Sequence, residues 1–126
     1  MAPYVDPQEQ LVVEVLVRDL ARSRRFYEEF GFEAVRDDKT FLVLAWEGCR
    51  LFLAEKKDLA PPAASRANLR VLVSDVDRYW KTALEMEAKV EAPIGDRSYG
   101  LRDFTVLDPD GFGLRFATWL PGLRPR

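Results

Sequence analysis

Short apolar runs recur along the chain in two parallel series. Residues 11–17, Leu-Val-Val-Glu-Val-Leu-Val, alternate enough to predict a strand. Asp19 follows as a helix N-cap, because its carboxylate can accept from the free amides of the first turn. Leu20, Phe26, Tyr27 and Phe30 then share one side of a helix, and Gly31 suits its left-handed stop. Strands are expected at 33–36, 41–46 and 50–55, with a turn through Glu47-Gly48 joining the last two. Residues 56–67 contain Pro61-Pro62, which breaks both regular structures and marks a linker.

The second series repeats the first. Residues 69–73 predict a strand, and Ser74 or Asp75 caps a helix whose apolar side is Val76, Tyr79, Trp80, Ala83 and Met86. No glycine ends this helix; Glu87 or Ala88 stands there. Strands follow at 90–92, 103–108 and 114–120. Asp108-Pro109-Asp110-Gly111 is a strong turn signal between the last two.

The repeat is visible in the letters. Val17-Arg18-Asp19-Leu20 is matched 56 residues later by Val73-Ser74-Asp75-Val76. The run 47–53 is matched 63 residues later by 110–116, so the second copy is longer by seven residues, placed most simply in its middle loop. A chain of 126 residues is a single domain by default, so the expectation is one domain over 1–126 built from module one, about 10–56, and module two, about 67–120.

Charge and composition narrow the partners. A net charge of −2 with both signs interspersed lacks the clustered basic face that nucleic-acid binding requires. No apolar run reaches membrane-spanning length, and the N-terminus lacks a signal-peptide pattern. The single cysteine, Cys49, cannot form an internal disulfide and fits a reducing cytoplasm; it reads as a packed thiol. With no histidine, general-base and triad chemistry lose their usual residue. The glycines form no phosphate-cradling loop.

Asp19-Leu20, Ser23, Phe26-Tyr27 and Gly31-Phe32 resemble the opening of a vicinal oxygen chelate domain. Tyr99-Gly100-Leu101-Arg102-Asp103-Phe104 leading to Asp108-Pro109-Asp110-Gly111 resembles its closing signature. This is the superfamily of glyoxalase I, extradiol dioxygenases, fosfomycin-resistance enzymes and bleomycin-resistance proteins, and the resemblance covers about residues 10–120. It implies an α+β fold: two tandem β-α-β-β-β modules forming curved mixed sheets around a cleft. Strand alternation then turns Val13, Val15 and Val17 toward the helix, and Val12, Glu14 and Leu16 toward the cleft. Asn68, Arg70, Leu72, Arg50, Phe52, Ala54, Gly113, Arg115, Ala117 and Trp119 are placed on the cleft face in the same way.

Metal-dependent members of the superfamily carry ligands at four positions that correspond here to Val12, Phe52, Asn68 and Arg115. Two of these have no lone pair and one is a permanent cation, so no metal and no cofactor is expected. The resemblance is to metal-free members that sequester a small molecule. Candidate ligand-binding residues are Glu14, Trp46, Phe52, Asn68, Arg70, Tyr99, Asp103, Arg115 and Trp119, with no catalytic residue assigned. Aromatic rings favour a flat ligand. Arg70 and Arg115 either anchor its oxygens or form internal ion pairs with Glu14 and Asp103. The open side of each module implies a homodimer, the alternative being a monomer whose two modules pair with each other. Three functions stay open: a small-molecule binding protein that sequesters an aromatic or oxygen-rich antibiotic or metabolite, a metal-independent enzyme of lyase or isomerase type, and a non-catalytic interaction or regulatory module.

Overall fold

The structure, a computed structural model, describes residues 2–125. The chain divides between Ala60 and Pro61 into two compact units. The first holds α1 (Pro7–Gln10), β1 (Val13–Val17), α2 (Leu20–Phe30), β2 (Glu33–Asp37), β3 (Phe41–Trp46) and β4 (Cys49–Glu55). The second holds β5 (Asn68–Leu72), α3 (Val76–Glu85), β6 (Lys89–Asp96), β7 (Leu101–Leu107) and β8 (Gly113–Trp119).

Each unit is a four-stranded mixed sheet with one main helix, so the fold is α+β. The strand orders are β1-β4-β3-β2 and β5-β8-β7-β6. In each, the first strand runs parallel to the last and the other pairs are antiparallel. The repeat extends to register. Val13 faces Leu51 and Glu14 faces Phe52 in the first unit; Leu69 faces Leu114 and Arg70 faces Arg115 in the second. Even the irregularities recur, with a register shift between Ala34 and Arg36 and another between Val90 and Ala92.

The helix in each unit covers one face of its sheet. Leu20, Phe26, Tyr27 and Phe30 of α2 are buried, as expected for the apolar side of the helix, together with Ser23. On the sheet beneath, Val15, Val17, Leu42, Leu44, Leu51 and Leu53 are buried. In the second unit Tyr79 stacks on Phe116 with ring centroids 4.8 Å apart, and Trp80 meets Phe104 edge-on at 5.2 Å. Val13, expected beneath the helix, is 44% exposed because it opens the strand.

Both helices start against the last strand of their own sheet. The Leu20 amide donates to Glu55 Oε2 at 3.0 Å, and the Val76 amide donates to Thr118 Oγ1 at 2.9 Å. Val76 stands 56 residues after Leu20 and Thr118 stands 63 after Glu55, the offsets found in the sequence. Asp19 also accepts from the Arg22 amide, whereas Asp75 makes no such side-chain bond. Gly31 ends α2 at φ 117°, and Glu87 follows α3 at φ 54° without being a glycine. The turn at 108–112 forms as read: Asp108 Oδ1 accepts from the amides of Asp110 and Phe112, each at 2.9 Å.

Three sequence expectations are corrected. Residues 7–10 form a short helix, where none was read. β6 runs over Lys89–Asp96, well beyond the expected 90–92. Cys49 is exposed, not packed.

Candidate functional site

The face of each sheet away from its helix carries the candidate residues, and the two faces differ in chemistry. In the first unit Val12, Glu14 and Leu16 lie beside Arg50, Phe52 and Ala54, as the alternation predicted. Val43 pairs with Phe52 and Phe41 with Ala54, which brings Phe41 onto the same face. The rings of Phe41 and Phe52 meet edge-on at 5.2 Å. A concavity of about 340 Å³ is lined by Glu9, Val12, Val35, Val43, Phe52 and the guanidinium groups of Arg36 and Arg50. It is open to solvent, and its lining mixes apolar side chains with charged ones. Arg36 is held by Asp38 at 2.7 Å. Among the described residues Arg50 makes only a long bond of 3.4 Å to the Cys49 carbonyl.

Trp46 does not belong to this face. It alternates with Leu42 and Leu44, meets Phe32 edge-on at 5.0 Å, and lies 3.4 Å from where a Cβ on Gly31 would stand. The ring therefore packs under α2. The apolar run 41–46 hides the phase of the strand, because both of its faces are hydrophobic.

In the second unit Asn68, Arg70 and Leu72 share the face away from α3 with Gly113, Arg115, Ala117 and Trp119, and β7 adds Asp103 and Thr105; these β5 residues are exposed, whereas Ala117, Asp103 and Thr105 are buried. Asp103 is 2% exposed and fully engaged. Arg97 Nε donates to Oδ1 at 2.7 Å, Tyr99 Oη donates to Oδ2 at 2.6 Å, and Arg115 Nη1 stands 3.5 Å from Oδ2. Arg97 also donates to the backbone carbonyls of Asp103 and Pro93. The Tyr99 phenol is pushed up from its ordinary value, first by the bond it donates to Asp103 and then by desolvation. Its ring lies 6.0 Å from the Arg115 guanidinium. Trp119 sits beside Gly100, with a ring carbon 3.7 Å from where a Cβ would be. Asn68 closes over Gly113, where any Cβ would come within 2.9 Å of its own.

The repeat superposes these two chemistries. Phe41 faces Ala54 as Asp103 faces Ala117, and Val43 faces Phe52 as Thr105 faces Arg115. The ring pair Phe41–Phe52 of the first unit thus becomes the ion pair Asp103–Arg115 of the second. Glu14, beside Phe52, corresponds to Arg70, beside Arg115. Glu14 and the Arg70–Arg115 pair therefore lie on different sheets, and the partner of Arg115 is Asp103.

Arg97, Phe41 and Val35 were not singled out from sequence. Phe41 could have been found by pairing 41–46 with 50–55 through the short turn. Arg97 sits in the stretch that makes the second copy longer, so the repeat offers no counterpart.

The residues at the four metal-ligand positions do not fit a divalent ion. Val12 and Phe52 have no donor atom, Asn68 supplies a single neutral oxygen, and Arg115 is a cation. Among the described residues no group of three Asp, Glu or Cys side chains is arranged to hold one.

Among solved structures, the chain is similar to a glyoxalase/bleomycin resistance protein/dioxygenase from Alicyclobacillus acidocaldarius, at 18% identity and TM-score 0.74 over 87% of this chain and 90% of that one. It is similar to a bleomycin-binding protein complexed with bleomycin, at 21% identity and TM-score 0.70 over 86% and 97%. It also resembles the fosfomycin resistance protein FosX from Listeria monocytogenes, at 16% identity and TM-score 0.75 over 91% and 96%. At these identities the likeness concerns the fold. No curated protein matches the chain. Residues 10–116 match the Glyoxalase/Bleomycin resistance protein/Dioxygenase superfamily, and the chain belongs to that superfamily.

Proposed function

We propose that the chain binds a small molecule on its open sheet faces, without a metal, and holds it unaltered. The carrying observation is the concavity of about 340 Å³ in the first unit, with Val12, Val35, Val43 and Phe52 as its floor and Arg36 and Arg50 at its rim. Its size and lining suit a flat, partly apolar ligand with oxygen substituents. Acid–base catalysis draws less support, because both oxygens of the buried carboxylate Asp103 are already held by Arg97, Tyr99 and Arg115. An antibiotic is the favoured class, since a bleomycin-binding protein and a fosfomycin resistance protein share the fold. Bleomycin itself suits the chain poorly: it is cationic, the net charge is only −2, and guanidinium groups stand on both open faces.

The protein is proposed to act as a homodimer. The open faces leave Leu16 and Val35 more than 40% exposed, and a second copy would cover such surface symmetrically. Among the described residues no helix is long and apolar enough to cross a membrane. A reducing cytoplasm is proposed as the location, since Cys49 is exposed and unpaired.

Thermal denaturation against fosfomycin, bleomycin and planar aromatic antibiotics, each with and without EDTA, tests the reading. The expected result is a concentration-dependent rise in Tm with at least one aromatic compound, unchanged by the chelator. One zinc, nickel, iron or manganese per chain in elemental analysis of protein purified without chelator overturns the metal-free reading. Sedimentation as a monomer at micromolar concentration counts against the dimer.

A further inference from the structure

Arg70 and Arg115 are direct partners in the parallel pairing of β5 with β8, so their side chains leave the same face of the sheet side by side. Like charges directly opposite one another destabilise a sheet. The nearest carboxylate, Asp103, answers this only in part. Arg97 takes Oδ1 at 2.7 Å and Tyr99 takes Oδ2 at 2.6 Å. Arg115 Nη1 is left at 3.5 Å, longer than a charge-assisted hydrogen bond. Asp103 thus aims Arg115 more than it neutralises it. Two guanidinium groups, Arg97 and Arg115, share the single carboxylate of Asp103, and Arg70 stands beside Arg115 with no carboxylate of its own among the described residues.

Two donors remain unanswered. Arg115 Nε is buried and has no hydrogen-bond partner. A buried donor without an acceptor is unfavourable unless a ligand or water supplies one. Arg70 makes no hydrogen bond or ion pair among the described residues. The Tyr99 ring, 6.0 Å from the Arg115 guanidinium, and Leu72, 44% exposed beside Arg70 on β5, give the site an apolar border. The corresponding positions of the first unit are Glu14 and Phe52, so this cationic pair is a property of the second unit alone.

We propose that Arg70 and Arg115 form an oxyanion site, within the second unit, that takes the carboxylate, phosphonate or phosphate group of a small molecule. Two guanidinium forks can each offer paired N–H donors to such a group. This deepens the small-molecule reading and rests on it for its biological role, though not for its chemistry.

The test is titration of the full-length, 15N-labelled chain with phenylphosphonate, benzoate and inorganic phosphate at constant ionic strength, following arginine Nε–H signals by NMR. Phenylphosphonate is expected to shift the Arg70 and Arg115 signals saturably and to leave Arg36 unmoved. Arg70→Met removes an exposed, unpaired side chain, so the fold stays intact, and affinity should fall at least tenfold. Absence of a saturable shift at both arginines, or full affinity in Arg70→Met, overturns the site. If an aromatic antibiotic stabilises wild type and Arg70→Met alike while no phosphonate binds, the oxyanion site is wrong and the binding reading survives. If phenylphosphonate binds as expected while no antibiotic raises Tm, the site stands and the antibiotic reading falls.

Discussion

The two units share strand order, cross-strand register and the way the last strand caps the helix start, yet they place opposite chemistries on their open faces. Where the first sets Phe41 against Phe52, the second sets Asp103 against Arg115. The difference shows which positions define the scaffold. The helix-covered face is apolar in both units, with Leu44, Leu51 and Leu53 in one and Phe104, Leu114 and Phe116 in the other, all fully buried. The open face can exchange a ring pair for an ion pair without disturbing the register, because its residues contribute little to the packing beneath the helix.

The largest effect that would test this comparison is loss of Asp103. Asp103→Ala leaves the half-buried Arg97 and Arg115 without their shared, buried acceptor. A cost of about 3 kcal/mol is expected in urea denaturation, the scale of breaking a buried pair by removing one partner. The double substitution Asp103→Phe with Arg115→Phe copies the first unit's ring pair and should recover part of that loss, by removing one of the two stranded cations while Arg97 still lacks its acceptor. A double variant no more stable than Asp103→Ala would mean that the two open faces are not interchangeable.

The helix ends give a smaller contrast. Gly31 carries φ 117° and Glu87 carries φ 54°, both in the left-handed region. Gly31→Ala should cost about 2 kcal/mol, because a side chain is strained in that region; the added Cβ itself would make ordinary contact with the Trp46 ring at 3.4 Å. Glu87→Gly should gain about 1 kcal/mol by relieving the same strain. The opposite signs expected at one repeated backbone position are checked by comparing the two midpoints in urea.

Much of this fold can be read from the letters. The repeat offsets, Asp19 as a cap, Gly31 as a stop and the turn at 108–112 follow from local chemistry that tertiary structure does not override. β6 was under-read because Pro93 and Gly95 signal a break, yet an edge strand with two register shifts accommodates both. Trp46 was misplaced because an all-apolar strand gives alternation nothing to mark. At the candidate site, alternation put Glu14, Phe52, Asn68, Arg70, Arg115 and Trp119 on open faces. Arg97 was out of reach: its bond to Asp103 depends on β6 folding back along β7, which no local pattern encodes.

The smallest effect concerns Tyr99, which has no counterpart in the first unit. Its phenol donates to Asp103 at 2.6 Å, and that bond favours the protonated form, so the folded-state pKa lies above its ordinary value. The unfolded chain loses the bond and releases the proton at lower pH. The stabilisation is therefore full below the ordinary tyrosine range and declines as pH rises through the folded-state value. Tyr99 is 55% exposed, so solvent screens the contribution and the change in stability should be small. The clearer readout is the phenolate absorbance, taken as the difference between wild type and Tyr99→Phe. That difference should titrate above the ordinary tyrosine value in the native chain and move down in Asp103→Asn, where no charge remains to hold the phenol proton. A Tyr99 titration unchanged by Asp103→Asn would place the cause in burial, and the second unit would then lack the hydrogen-bonded pair that most distinguishes its open face.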